Sequence, residues 1–245
     1  MELLRGEGID RKEDNPLSET PNEADRIEIV YYTDPLCCWS WAFEPHWQQL
    51  LSNFEHKVSW KYCMGGLVPD WESYNDPINS ISRPAQMGPL WMEVHHSTGI
   101  PINYHIWIKN PPKSSYPACI AVKTAELQSA EAGELYLRKV REAVMIHSLD
   151  ISKAAVLHKI AMQLSINYPG RFNADQFLED FDSEKSRDAF RQDLQRIRYN
   201  QIGRFPTLTM KKGNQPGIII TGYRPYEVLL QALSRIDPQL TDKDL

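Results

Sequence analysis

The chain has 245 residues, of which 42% are hydrophobic and 24% are charged, and its formal net charge is −5 at pH 7. These values are ordinary for a globular protein and exclude collagen-like, low-complexity and wholly disordered chains. The net negative charge argues against binding to nucleic acid, which needs clustered lysines and arginines. The four cysteines are too few and too irregularly spaced for a disulfide scaffold, yet Cys37 and Cys38 are adjacent.

Residues 1–26 form a polar leader, rich in Glu, Asp, Asn and Pro, that is predicted to be disordered. The leader lacks the apolar run of a signal peptide, and no stretch of the chain approaches the ~18 apolar residues of a membrane span. The sequence therefore predicts a soluble, cytoplasmic protein with no membrane partner. The leader is also a candidate segment for binding a protein partner by folding onto it.

Residues 27–70 are predicted to form a βαβ unit. Residues 27–32 are β-branched and aromatic and are followed by a turn, which predicts a buried strand. Apolar side chains at helical spacing predict a helix from about Cys38 to Phe54, and alternation predicts a second strand over residues 58–64. Two strands joined by one crossover helix should lie parallel.

Residues 71–201 are predicted to form a helical insertion. Prolines interrupt the chain up to Tyr104 and leave room for one short helix, over residues 85–96. Beyond the prolines, apolar residues recur every three to four positions and predict further helices. These helices cover residues 118–129, 133–147, 151–164, 173–181 and 184–201.

Residues 202–245 return to β structure. Residues 206–210 and 217–221, joined by a turn at Gly213-Asn214, predict an antiparallel hairpin, and a helix follows over residues 225–236. The order βαβ, helical insertion, ββα predicts an α/β fold in which the two ends of the chain complete one sheet.

Chemistry is concentrated where the first strand meets the first helix, in Asp34-Pro35-Leu36-Cys37-Cys38-Trp39-Ser40-Trp41. Cys37 lies close to the helix N-terminus, where unpaired amides and the positive end of the macrodipole stabilise a thiolate. A thiolate is the nucleophile of thiol–disulfide exchange and of glutathione chemistry. A pair of buried thiols that merely fill a turn is the structural alternative. The cysteines lack the paired spacing of a metal site, so no metal is predicted.

Together with Phe205-Pro206-Thr207, this motif resembles the DsbA-like branch of the thioredoxin superfamily, which carries a helical insertion and includes FrnE-type and SpxH-type proteins. The resemblance extends over about residues 27–236 and implies a thioredoxin-like fold. Three further motifs support it: Phe43-Glu44-Pro45, Met64-Gly65-Gly66-Leu67 and Ser115-Tyr116-Pro117-Ala118.

The resemblance also implies roles for individual residues. Cys37 matches the nucleophilic cysteine, and Ser40 stands where the second, resolving cysteine usually is. The intervening pair, Cys38 and Trp39, would contact the substrate. Pro206 matches the cis-proline beside the active site, where the backbone of Phe205 would pair with a bound peptide or glutathione.

The Cys-Cys-Trp-Ser motif departs from the usual CxxC pattern. A single thiol can attack a disulfide but cannot release the mixed disulfide intramolecularly. The leading hypothesis is therefore a monothiol oxidoreductase that uses an external thiol such as glutathione as co-substrate, with no tightly bound cofactor.

Two other cysteines are candidates for the resolving thiol, Cys38 and Cys63. Adjacent Cα atoms are only ~3.8 Å apart, below the usual range of about 4.4–6.8 Å, so a disulfide between Cys37 and Cys38 would be strained. Cys63, near the end of the second strand, is the other candidate, with simple burial in the core as its alternative role.

Two other functions stay open. A glutathione-dependent isomerase or transferase of the kappa or 2-hydroxychromene-2-carboxylate isomerase type shares the split fold, but such enzymes use a serine where this chain has Cys37. A non-catalytic adaptor similar to the SpxH group fits the degenerate motif and the acidic leader, because a fold does not dictate a function.

Overall fold

A computed structural model describes residues 26–240; the predicted disordered leader, apart from Arg26, and residues 241–245 lie outside the described part of the chain. Within it, one sheet has four strands in the order β2-β1-β3-β4. The strands are β1 (Ile27–Thr33), β2 (Val58–Met64), β3 (Thr207–Lys212) and β4 (Ile218–Thr221).

The strand pairing confirms the predicted sheet. Strands β1 and β2 are parallel, and α1 (Cys38–Phe54) connects them. Strand β3 pairs antiparallel with β1 and with β4, so the last part of the chain completes a sheet that the first part begins. Because β1 and β2 end together, with Thr33 opposite Met64, the loops that follow them emerge at one edge of the sheet.

The region between β2 and β3 is helical among the described residues, as the sequence predicts. The predicted helix over residues 118–129 is too long at its C-terminal end, because Ser129 caps the next helix by accepting a hydrogen bond from the amide of Ala132. The helices are α2 (Met87–Thr98), α3 (Ile106–Lys109), α4 (Tyr116–Glu126), α5 (Ala130–Met145), α6 (Ala154–Asn167), α7 (Ala174–Phe181), α8 (Glu184–Tyr199) and, after the hairpin, α9 (Tyr226–Ile236).

The two faces of the sheet pack against different helices, since successive side chains of a strand point to opposite sides. Tyr31 contacts Phe43 and Trp47 of α1, while its neighbour Tyr32 accepts a hydrogen bond from Asn200 at the end of α8. The motif at residues 37–40 therefore lies at the start of the helix that covers one face. Over residues 26–240, no helix is both long and apolar enough to cross a bilayer.

Candidate active site

Cys37 is the N-cap residue of α1 and lies between that helix and the loop before β3. Its Sγ accepts a hydrogen bond from the backbone amide of Ser40 at 3.4 Å. The thiol donates to the carbonyl oxygen of Phe205 at 3.5 Å. Only 6% of the residue is exposed. The fold thus brings together the two motifs that the sequence singled out, 168 positions apart.

The loop that faces Cys37 is held from both sides. The peptide bond between Phe205 and Pro206 is cis. The carbonyl oxygen of Pro206 accepts a 2.7 Å hydrogen bond from the amide of Gly222, at the end of β4. The ring of Phe205 lies against Gly65, where a Cβ atom would approach it to 2.5 Å. Any side chain at position 65 would therefore force the ring of Phe205 to move.

A cleft of about 670 Å³ opens over Cys37. Its floor includes Cys37, Cys38 and Trp39. The rest of the lining includes residues 203–205, 221–224 and 74–79, together with side chains of α2. Such a volume is typical of small-molecule and peptide sites.

Two of the predicted site residues, Ser40 and Pro206, are not part of the cleft lining. Ser40 lies in the first turn of α1 and is completely buried. Among the described residues its hydroxyl oxygen forms no hydrogen bond of normal geometry, although the hydroxyl still lowers the pKa of the Cys37 thiol. Its amide, by contrast, contacts the sulfur of Cys37 directly.

Burial dominates the electrostatics of the thiol. Burial raises the pKa of Cys37 above its ordinary value, and the hydroxyl and amide of Ser40 oppose that rise. The negative charge of Asp34 raises this pKa further, whereas Arg141 lowers it. Burial thus outweighs the thiolate stabilisation expected from the helix start. The pKa of Cys38 is also raised, well above its ordinary value and again by burial.

Asp34 organises the loops around the site, a role that the sequence analysis missed. Its carboxylate accepts hydrogen bonds from the amides of Leu36 at 2.8 Å and Leu67 at 2.7 Å. It also accepts from the hydroxyl of Ser115 at 3.0 Å and the thiol of Cys119 at 3.3 Å. Burial raises the pKa of Asp34. The available signal was an aspartate placed directly after a buried strand and before a proline.

A buried ion pair lies behind the start of α1. Arg141 of α5 is fully buried and donates hydrogen bonds to the carboxylate of Glu44 and the hydroxyl of Thr33. Its guanidinium carbon lies 5.8 Å from the centre of the Tyr31 ring, and the hydroxyl of Tyr31 donates to the carbonyl of Ser40 at 3.4 Å. The periodicity of α5 gave no sign of this pair.

All four cysteines are free thiols in this structure. Cys63 faces α8, where its thiol donates to the carbonyl oxygen of Asp193 at 3.5 Å. It is completely buried and is not part of the cleft lining. Burial raises its pKa far above the ordinary value.

Known sequences share features with this chain. Residues 31–231 match the thioredoxin family. The ClpXP adapter protein SpxH of Halalkalibacterium halodurans is 27% identical over 84% of this chain. The match covers 66% of that relative, so the chain spans just under two thirds of the relative's length.

Solved structures give the same architecture. A candidate protein disulfide isomerase from Nitrosomonas europaea, 25% identical, superposes with a TM-score of 0.72 over 88% of this chain and 100% of its own. The cytosolic disulfide reductase DsbM of Pseudomonas aeruginosa with glutathione, 18% identical, gives 0.62 over 85% and 99% and is similar in fold alone. These likenesses confirm the predicted thioredoxin-like fold with a helical insertion.

Proposed function

This chain belongs to the thioredoxin family, and on that premise we propose that it is a thiol–disulfide oxidoreductase of monothiol type with Cys37 as nucleophile. The observation that carries the proposal is the position of Cys37: it caps α1 on the floor of a cleft, with an amide donor on its sulfur. The substrate reaches the thiol through the cleft, beside Trp39 and Phe205.

The reaction is an exchange of disulfide bonds. The thiolate of Cys37 attacks one sulfur of a substrate disulfide, a new S–S bond forms, and the other substrate sulfur leaves as a thiolate that takes a proton from water. The Ser40 amide stabilises the charge on Cys37 before the attack and again when the sulfur is released. The raised pKa lowers the thiolate fraction but makes that thiolate a stronger nucleophile.

An external thiol completes the cycle, because Ser40 stands where a resolving cysteine would be. The thiolate of the external thiol attacks the substrate sulfur of the mixed disulfide and forms a new disulfide with it. This step releases the thiolate of Cys37. We propose glutathione for this role, and a reducing cytoplasm as the compartment. The glutathione-bound structure of DsbM, a cytosolic disulfide reductase, supports both choices.

The test follows the mixed disulfide by intact mass after incubation with glutathione disulfide. We expect one glutathione adduct on the wild type and on Cys63→Ser, and none on Cys37→Ser. An adduct that survives Cys37→Ser, or equal modification of several cysteines, would contradict the assignment of the nucleophile. Turnover of insulin reduction should increase in Ser40→Cys, since that variant restores a second thiol to the motif.

A second candidate is a non-catalytic adaptor, because curated relatives 23–28% identical to this chain are named ClpXP adapter protein. The adaptor and the oxidoreductase are distinguished by testing whether purified ClpX co-elutes with this protein. The test uses the wild type, Cys37→Ala and a chain without residues 1–26. A stoichiometric complex independent of Cys37 would favour the adaptor. No complex, combined with exchange activity, favours the oxidoreductase.

The glutathione-dependent isomerase or transferase is a weaker alternative. In such an enzyme a serine hydroxyl activates the thiol of bound glutathione, whereas here Ser40 is buried and Cys37 lines the cleft. Conjugation or isomerisation that continues in Cys37→Ser would reverse this ranking. Loss of all glutathione-dependent activity in that variant supports exchange through Cys37.

A further inference from the structure

Two arginines line the Cys37 cleft from neighbouring loops. Arg204 directly precedes Phe205, and Arg224 follows Tyr223 in the loop between β4 and α9. Both are exposed, and within residues 26–240 neither forms an ion pair with a carboxylate. Arg204 and Arg224 therefore present two uncompensated positive charges beside the nucleophile.

The two loops are joined, so that the arginines share one rim. The amide of Gly222 donates to the carbonyl of Pro206 at 2.7 Å. Gly222 has a φ of +77°, and a Cβ atom at this position would lie 3.7 Å from Cδ of Arg204. The aliphatic part of Arg204 thus lies against the loop that carries Arg224.

The loop of Arg224 is also anchored at its aromatic residue. The hydroxyl of Tyr223 forms a 3.0 Å hydrogen bond with Nε2 of His46 in α1. The ring of Tyr223 packs at 5.8 Å from that of Trp39, on the floor of the cleft. Since Tyr223 is held on both sides, Arg224 starts from a fixed backbone position, which lowers the entropic cost of binding a ligand.

In the described part of the chain, a single carboxylate lines the cleft together with these arginines, and it offsets only part of their charge. Asp76 is the only carboxylate lining the cleft among the described residues. Its Oδ1 accepts from the amides of Ile78 at 3.0 Å and Asn79 at 3.1 Å, and its Oδ2 accepts from the side-chain amide of Asn79 at 2.6 Å. Asp76 keeps its negative charge but is held by donors of its own loop, so the two arginines leave the cleft lining net positive in a chain whose net charge is −5.

We propose that Arg204 and Arg224 form a carboxylate-binding subsite that selects thiols and disulfides with a negative charge beside the reacting sulfur. A guanidinium binds a carboxylate through two parallel N–H donors, and this geometry gives specificity as well as attraction. The subsite deepens the proposed function and rests on it. The carboxylate can belong to a small acidic thiol such as glutathione or to an acidic residue next to a peptide cysteine.

Three small disulfides of different charge test the selection. They are dithiodipropionate, which is anionic, bis(2-hydroxyethyl) disulfide, which is neutral, and cystamine, which is cationic. The rate of mixed-disulfide formation on Cys37 is followed by mass spectrometry and divided by the rate of the same probe with a small reference thiol. We expect the normalised rate to be highest for the anionic probe, lower for the neutral probe and lowest for the cationic probe. The differences should shrink as salt is added.

Substitutions assign the selection to the two arginines. Arg204→Gln and Arg224→Gln should each reduce the preference for the anionic over the neutral probe by about twofold to fivefold, the range for an exposed ion pair. The double variant should show no preference. Arg235→Gln, an exposed arginine of α9 outside the cleft lining, should behave as the wild type. A preference that the double variant keeps would overturn the subsite.

Two further arms identify the source of the carboxylate. Glutathione disulfide is compared with peptide disulfides that carry Glu or Gln beside the cysteine, in the wild type and the double variant. A loss of rate confined to glutathione disulfide assigns the subsite to a small thiol. A loss confined to the Glu peptide assigns it to polypeptide substrates. If neither rate changes, the subsite has no role in selection and the proposal fails.

A binding measurement in a variant without the Cys37 thiol tests the subsite independently of the proposed exchange reaction. In Cys37→Ala, binding of S-methylglutathione and of its diethyl ester is measured by isothermal titration calorimetry. Salt-sensitive preference for the free acid, lost when both arginines are replaced, would support the subsite even if no mixed disulfide ever forms. Equal binding of the acid and the ester, with equal normalised rates for the three probes, would refute it.

Discussion

Cys37 and Cys63 lie at the same end of two parallel strands, yet their surroundings differ. Cys37 follows β1, caps α1, accepts an amide hydrogen bond and lines the cleft. Cys63 lies within β2 opposite Tyr32 and donates to a carbonyl of α8, completely buried. A thiol at this edge of the sheet therefore does not by its position alone reach the cleft. The helix start and the open cleft distinguish the candidate nucleophile from a core residue.

The charges around the two thiols differ as well. Near Cys37, the buried guanidinium of Arg141 lowers the thiol pKa and opposes Asp34. Near Cys63, the carboxylate of Asp193 raises the thiol pKa, while Lys123 lies 3.2 Å from that carboxylate. Burial is the largest influence on both thiols, so access to the cleft, rather than charge alone, should separate their reactivities.

Removing Arg141 should have the largest effect on the Cys37 region. Arg141→Met leaves the carboxylate of Glu44 buried without its cation, and breaking such a pair costs about 3–5 kcal/mol. The free energy of unfolding in urea measures this loss. Arg138→Met, on the same helix but half-exposed, should cost less than about 1 kcal/mol. Similar losses of unfolding free energy in the two variants would show that the buried pair stabilises the protein no more than the exposed pair does.

Alkylation compares the two thiols directly. In the native protein, iodoacetamide should modify Cys37 at least about tenfold faster than Cys63, which corresponds to ~1.4 kcal/mol of extra opening free energy at Cys63. Because burial raises the pKa of Cys37, its rate should keep rising with pH beyond the ordinary thiol value of about 8.5. Peptide mapping at several pH values measures both rates. Equal labelling would remove the distinction between the two sites.

The sequence predicted the strands and most helices because alternation and periodicity are local signals. The juxtaposition of Cys37 with Pro206 was instead implied by the resemblance to the DsbA-like branch, since it joins segments 168 positions apart. The predicted helix over residues 118–129 extended too far because a serine that caps one helix can be read as the end of the preceding one.

The buried polar groups behind the site could not be predicted in the same way. Asp34 gathers donors from three separate segments, and Arg141 reaches Glu44 from a helix 97 positions later in the chain. Such partners are long-range contacts that leave no periodic pattern. A charged residue in an amphipathic helix is predicted to be solvent-exposed unless its buried partner is known.

The smallest expected effect concerns the serine behind the nucleophile. Ser40→Ala removes the hydroxyl that lowers the Cys37 pKa and keeps the amide that donates to its sulfur. The inflection of the Cys37 alkylation rate should therefore move to higher pH, because the pKa of the thiol rises when this hydroxyl is lost. At a fixed pH below the inflection, the rate falls because less thiolate is present. Ser52→Ala, exposed in the last turns of α1, should leave the profile unchanged. An unchanged profile in Ser40→Ala would leave the amide as the only contribution of this residue to the thiolate.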